Sequence, residues 1–84
     1  MFYKIKKIEA LDNYILEIFF EDGKVKYYNI ETAIKKAKEL EAVKNNKIFQ
    51  NVRVDVGGYA AIWNDNLDID CNELYINGTE EKYE

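Results

Sequence analysis

The sequence contains no histidine, no proline and a single cysteine among its 84 residues. Without histidine, the chain lacks the commonest general base, the commonest neutral metal ligand and every catalytic triad that depends on an imidazole. The single cysteine, Cys71, excludes an internal disulfide and a cysteine-based zinc site, which favours a reducing, cytoplasmic setting. No apolar stretch approaches the roughly 20 residues that cross a bilayer, and residues 1–14 lack the apolar region of a signal peptide, so we expect no membrane contact.

The remaining composition is typical of one small folded domain. Hydrophobic residues make up 48% of the chain, and seven Tyr, four Phe and one Trp supply an aromatic content of 14%. A domain of this length buries only about 60% of its unfolded surface, so large rings are needed for the core, for an interface, or for both. We predict a single domain over residues 1–76 and a polar, frayed tail over 77–84. Exposed sheet edges and the many aromatic residues also favour homodimerisation.

Charge is distributed unevenly along the chain. The net charge is −4, residues 35–47 are basic on balance, and residues 64–84 hold seven acids and one lysine. The net negative charge disfavours nucleic acid as a partner. The two segments are either a solvated helix face and a solvated tail, or surfaces that orient the protein on a charged partner.

The local patterns predict an α+β fold with a small antiparallel or mixed sheet. Three N-terminal strands are separated by Asp12-Asn13 and by the hairpin signal Asp22-Gly23. Asn29 is a predicted N-cap for a helix over 30–43, and a helical turn follows that directs Ile48 and Phe49 inward. A hairpin through Gly57-Gly58 and a short C-terminal helix complete the fold. The predicted strands are 2–11, 14–20, 25–29, 52–55 and 59–63.

The spacing of Asp68, Asp70 and Asn72 in "IWNDNLDIDCNELYIN" (62–77) is that of the start of a calcium loop. Such a loop requires glycine at its sixth position and a carboxylate at its twelfth, and these positions are Glu73 and Thr79 here. We therefore predict no metal and no cofactor, and interpret "NDN" as a turn and Asp70 as the N-cap of the C-terminal helix, with Glu73 in an acidic variant of the capping pattern.

Two sets of residues resemble a known family over nearly the whole chain. "FFEDGKVKYYNI" (19–30) matches a Phe-x-Asp-Gly hairpin and the strand after it, and "NNKIFQNVRVDVGGYAAIWNDNLDIDCNELY" (45–75) matches a second pattern. The chain thereby resembles the small bacterial family catalogued as domain of unknown function 2442. It departs from the family at Asn66, where Gly is usual, at Cys71, where Pro is frequent, and in its longer lysine-rich segment. The matching residues of the second pattern are Phe49, Val52, Gly57, Gly58, Trp63, Asp68, Ile69, Leu74 and Tyr75.

The resemblance implies an α+β fold and no established activity, so it transfers no catalytic residue. Family members occur alone, fused to helix-turn-helix domains, or beside another small domain in a toxin–antitoxin-like arrangement. A binding or regulatory module is therefore implied. Because 84 residues leave no room for the helix-turn-helix unit, we expect no direct DNA reading.

Residue types and resemblance together predict a non-enzymatic protein-binding module, antitoxin-like or an accessory partner of another small protein. One alternative is a phage-encoded inhibitor that covers a host defence protein with its acidic surface. A more distant alternative is a small metal-dependent hydrolase built on the acids of 65–73. For Trp63, with Tyr59 and Tyr75, core packing and an interface anchor both remain open. The candidate partner-binding residues are Trp63, Asp65, Asp68, Asp70, Glu73 and Tyr75.

Overall fold

The computed structural model describes residues 1–82, so the last two residues of the predicted tail lie outside the described part. These residues form two three-stranded antiparallel sheets and three short α-helices, which confirms the α+β class. The strands are β1 (Ile5–Leu11), β2 (Ile15–Phe20), β3 (Val25–Asn29), β4 (Arg53–Val54), β5 (Ala60–Asn64) and β6 (Leu67–Asp70). The helices are α1 (Ile30–Ile34), α2 (Asn46–Phe49) and α3 (Cys71–Asn77).

The first sheet has the order β1-β2-β3, as the N-terminal pattern predicts. Gly23 takes φ +94° in the turn after β2, a conformation that glycine adopts without steric cost. In the turn between β1 and β2, Asn13 and Tyr14 take φ 64° and 60°. Positive φ is common for Asn but strained for a bulky residue, and the Tyr14 ring is held edge-to-face against Phe49 at 5.2 Å between centroids.

The helix predicted over 30–43 is divided into α1 and a 3-10 helix over Lys38–Val43. Asn29 caps α1 as predicted, because its side-chain oxygen accepts a hydrogen bond from the Glu31 amide at 2.9 Å. The helix breaks at Ala37, whose φ of −141° and ψ of 98° are extended. In one continuous helix Val43 would lie about 140° around the axis from Ile30. The break lets both side chains be fully buried.

The second sheet has the order β4-β5-β6, and its third strand is absent from the sequence prediction. Along β6, Leu67 and Ile69 are turned to the interior, whereas Asp68 and Asp70 are exposed. The Asp-x-Asp spacing is therefore the period-two alternation of a half-buried strand. Ile48 also departs from the prediction, since it is 37% exposed while its neighbour Phe49 is fully buried.

The two sheets meet where the backbones of Ile5 and Gly58 join. The amide of Ile5 donates to the carbonyl of Gly58 at 2.8 Å. Gly58 has φ +83°, and a Cβ atom at this position would lie 2.6 Å from the Ile5 carbonyl oxygen. Only glycine permits this close approach. The side chains of both sheets and of the helices then share one core, which includes Leu16, Ile18, Tyr28, Ile30, Val43, Phe49, Ala61, Trp63, Cys71 and Leu74.

Part of the predicted tail is paired with the first sheet. Thr79 and Tyr27 exchange two backbone hydrogen bonds of 2.7 and 2.8 Å, which protect the outer edge of β3. Asn77, the first residue of that predicted tail, is the last residue of α3. Over residues 1–82, no helix has the length and the apolar character that a membrane span requires.

Candidate protein-binding surface

Trp63 lies in the core, which is one of the two roles that the sequence leaves open for it. Its side chain is 6% exposed. The indole Nε1 donates to the carbonyl oxygen of Phe49 at 3.2 Å, and the two rings lie 6.4 Å apart between centroids. Trp63 therefore offers a partner almost no surface, and it supports β5 from the inside.

The three aspartates among the predicted residues are exposed but have separate structural positions. Asp65 lies in the turn between β5 and β6, and Asp68 is on the outer face of β6, in register with Ile62. Asp70 caps α3, as predicted, by accepting a hydrogen bond from the Asn72 amide at 2.9 Å. No group of three or more His, Cys, Asp or Glu side chains within residues 1–82 is arranged to hold a metal ion. Partner contact by these acids stays a prediction.

Glu73 does not complete a capping pattern, because its carboxylate is directed across the fold. It accepts hydrogen bonds from the Tyr28 hydroxyl at 2.8 Å, from the Lys36 ammonium at 2.9 Å and from the Asn77 amide group at 2.9 Å. Burial alone raises the pKa of Glu73, but the hydrogen bonds from these three groups outweigh it and hold the pKa below its usual value. Glu73 thus ties α3 to β3 and to the segment after α1.

Tyr75 is held by contacts on both faces of its ring and at its hydroxyl. The ring stacks on Tyr3 at 3.7 Å between centroids, and the Lys26 ammonium lies 4.4 Å from its centroid. The hydroxyl donates to Oδ2 of Asp22 at 2.7 Å. This hydrogen bond is the main reason that the pKa of Tyr75 rises to about 12. Tyr75 therefore fastens the segment before β1 to α3.

An exposed aromatic pair, which the sequence prediction misses, lies beside this segment. Phe2 is 59% exposed and Tyr59 is 41% exposed, and their rings meet edge-to-face at 5.2 Å between centroids. Val56, in the turn before Tyr59, is 92% exposed. The ammonium of Lys4 lies 5.1 Å from the centre of the Tyr59 ring. We refer to Phe2, Val56 and Tyr59 as the aromatic corner.

The backbone under the aromatic corner is fixed by hydrogen bonds. The side chain of Asn72 donates to the Met1 carbonyl at 3.1 Å and accepts from the Tyr3 amide at 3.0 Å, so Phe2 is held on both sides. The carbonyl of Tyr59 accepts from the Cys71 amide at 2.9 Å. The two rings are therefore presented on positions already ordered before any partner arrives.

A cavity of about 400 Å³ adjoins the aromatic corner, between residues 1–4 and the turn after β2. Its lining includes the aromatic side chains of Phe2, Tyr3 and Phe20 and the acidic residues Glu21 and Asp22. The sequence patterns did not predict the aromatic corner, because residues 2 and 59 are distant in the chain and become neighbours only through the Ile5–Gly58 contact.

A family model described as "Protein of unknown function (DUF2442)" matches residues 5–80 of the chain. No curated protein matches the chain. A crystal structure described as "Putative DNA Binding Protein NE0471 from Nitrosomonas europaea ATCC 19718" has a similar fold, with a TM-score of 0.68 and 22% sequence identity. The similarity covers 87% of this chain and 46% of that one, so the chain spans about half the length of that protein.

This comparison corrects the prediction that nucleic acid is disfavoured as a partner. A protein that shares the fold is described as a "Putative DNA Binding Protein", which conflicts with that prediction. The physical error was to argue from the net charge of −4. Net charge is a sum over the whole chain, whereas nucleic acid responds to the local field of a basic segment.

Proposed function

We propose that this chain, which belongs to the DUF2442 family, is a non-enzymatic module that binds another protein through the aromatic corner. The observation that carries the proposal is the exposure of Phe2 and Tyr59, at 59% and 41%, on backbone that hydrogen bonds already fix. Aromatic side chains are enriched among the residues that dominate protein interfaces. A regulatory or antitoxin-like role is the form of this function that we favour.

The chemistry of the side chains supports binding rather than catalysis. The chain has no histidine. Its one cysteine, Cys71, is buried, and burial followed by the nearby charge of Asp70 raises the pKa of the thiol. A protonated, buried thiol is a poor nucleophile.

An acidic flank supplies polarity beside the aromatic corner. Asp70 is paired across the strands with Ala60, the residue after Tyr59, and Asp68 lies further along the outer face of the same sheet. Apolar contacts with a charged rim are typical of specific interfaces, and a basic partner surface would be complementary to this rim. A regulatory partner and a host protein that a phage-encoded inhibitor covers can both present such a basic surface. Identification of the captured partner therefore distinguishes the two roles.

Affinity capture from a lysate of the source organism tests the proposal. The tagged wild-type chain is compared with a Phe2→Ser/Tyr59→Ser variant and with Ile76→Ser, which removes an apolar side chain that is 68% exposed outside the corner. We expect a stoichiometric protein partner with the wild type and with Ile76→Ser, and loss of that partner with the double variant. Circular dichroism of all three chains checks that the fold is retained. Equal capture by the double variant would contradict the proposal.

DNA binding is a second candidate function, favoured by the description of the Nitrosomonas structure. Lys35, Lys38 and Lys47 are exposed in the basic segment and form no ion pair with any residue of 1–82. Fluorescence anisotropy with a labelled DNA duplex at low and at moderate salt tests this candidate. Binding that weakens with salt, and with Lys35→Gln/Lys38→Gln/Lys47→Gln, would favour it. No binding at low salt would remove it.

A further inference from the structure

The cavity beside the aromatic corner combines aromatic walls with an acidic rim. Phe2, Tyr3 and the almost fully buried Phe20 lie along its walls, Glu21 and Asp22 supply the carboxylates, and Met1 and Lys4 complete the lining. The amide of Glu21 donates to the carbonyl of Lys4 at 2.9 Å, which fixes the rim against the segment before β1. The cavity is an open groove whose volume of about 400 Å³ is within the range of sites that bind small molecules.

The two carboxylates of the rim differ in what they contact. Asp22 accepts hydrogen bonds from the Lys24 amide at 2.9 Å and from the Tyr75 hydroxyl at 2.7 Å, so it is fixed in position. The Glu21 carboxylate has no hydrogen bond or ion pair with any side chain in the described part of the protein. The rim therefore holds one oriented carboxylate and one that is available.

Three lysines lie around the cavity: Lys4 is part of its lining, and the charges of Lys24 and Lys26 act on Asp22. The Lys4 ammonium lies over the Tyr59 ring at 5.1 Å, and the Lys26 ammonium lies over the Tyr75 ring at 4.4 Å. The Lys24 ammonium pairs with Glu80 at 3.5 Å. None of these lysines forms an ion pair with Glu21 within residues 1–82.

We infer that this cavity receives an arginine or lysine side chain of the protein partner, whose cation meets Glu21 and Asp22 while its alkyl stem contacts the exposed ring of Phe2. The inference rests on the proposed function, because the same partner segment would cover the aromatic corner. Rings attract a cation across their faces and carboxylates form charge-assisted hydrogen bonds with it. An apolar side chain would desolvate the Glu21 carboxylate without pairing it.

Nuclear magnetic resonance with small probes tests the inference without knowledge of the partner. N-acetyl-arginine methylamide is titrated into the 84-residue chain labelled with ¹⁵N, and N-acetyl-glutamate methylamide serves as the charge-reversed probe. We expect saturable shifts of the backbone amides of residues 2–4 and 20–22 with the arginine probe. A fragment of this size should bind with a Kd on the order of 1 mM.

Matched variants test whether the shifts of the backbone amides arise from binding of the probe at Glu21. Glu21→Gln should weaken binding of the arginine probe by about tenfold, because it removes the unpaired charge. Glu39→Gln, at an exposed acid elsewhere in the chain, should leave the binding unchanged. Absence of saturable shifts at these amides, equal binding of the glutamate probe, or undiminished binding by Glu21→Gln would each overturn the inference. The proposed function fails separately, if the Phe2→Ser/Tyr59→Ser variant still captures the partner.

Discussion

The hydroxyl of Tyr75 lies 2.7 Å from Oδ2 of Asp22, and this contact joins α3 to the turn between β2 and β3. Tyr75 also stacks on Tyr3, next to Phe2 in the chain. The contact therefore fixes one side of the cavity and, through Tyr3, the approach to the aromatic corner. The same few side chains therefore stabilise both the fold and the candidate binding surface.

The titration of Tyr75 tests this contact. Its pKa rises from 10.0 to about 12, mainly because the hydroxyl donates to Asp22. The hydrogen bond should therefore stabilise the fold fully below pH 10, and this stabilisation should be lost as the pH rises towards 12. Asp22→Asn should lower the pKa of Tyr75 towards its ordinary value, measured from the NMR shifts of the ring carbons. Glu17→Gln, which instead removes the negative charge of the group that accepts from the Tyr27 hydroxyl, should leave the pKa of Tyr75 unchanged.

Removal of the Glu73 charge should destabilise the fold. Glu73→Gln weakens the hydrogen bonds from three groups to a carboxylate whose side chain is only 22% exposed, so we expect a loss of about 1–3 kcal/mol in the free energy of unfolding by urea. Since the pKa of Glu73 is lowered in the fold, its stabilisation is present above the ordinary value of 4.5 and disappears as the pH falls through the folded-state pKa. Glu80→Gln, in a solvent-exposed ion pair, should have little effect. Equal effects of the two variants would contradict the role given to Glu73.

Gly58→Ala tests the contact that joins the two sheets. The added Cβ would lie 2.6 Å from the Ile5 carbonyl oxygen, at a φ of +83°. Gly23→Ala is the matched control, because its φ is +94° but no atom lies within 4 Å of the added Cβ. The positive φ should lower the free energy of unfolding of both variants by about 1 kcal/mol. Urea denaturation should show that Gly58→Ala lowers it by at least about 1 kcal/mol more than Gly23→Ala does. Similar losses would mean that the sheets do not need this close approach.

Substitution of Trp63 separates core packing from partner contact. Trp63→Phe removes the hydrogen bond to Phe49 and some ring volume, so the free energy of unfolding should fall by about 1–3 kcal/mol. The partner affinity of the folded variant should match that of the wild type, because the side chain is only 6% exposed. A variant that stays folded but binds the partner weakly would restore Trp63 as a direct contact.

The N-terminal hairpins, the Asn29 and Asp70 caps and the Gly57-Gly58 turn were predictable, because each depends on residues within a few positions of one another. Asn29 and Asp70 both cap with their own side-chain oxygens, and Gly57 takes φ +88° in its turn. Such features are set by local chemistry. Strand β6 was predictable in principle, since Leu67 and Ile69 alternate with exposed aspartates, but the polar residues were interpreted as a turn followed by a helix cap.

The break at Ala37 and the aromatic corner were not predictable from local patterns. Nothing in the residues around Ala37 stops a helix, and the break follows from the burial of Val43 against the rest of the core. Phe2 and Tyr59 meet because Gly58 lets β1 approach the β4–β5 turn. Both features arise from contacts between distant parts of the chain, which override local propensity.

The affinity of the captured partner for the purified chain, measured by calorimetric titration, decides whether partner binding depends on the aromatic corner. Phe2→Ser/Tyr59→Ser should weaken this affinity by on the order of 100-fold, as expected for the loss of two interface aromatics, while Ile76→Ser should leave it unchanged. If the double variant binds as tightly as the wild type while both remain folded, the aromatic corner is not the surface through which this protein acts.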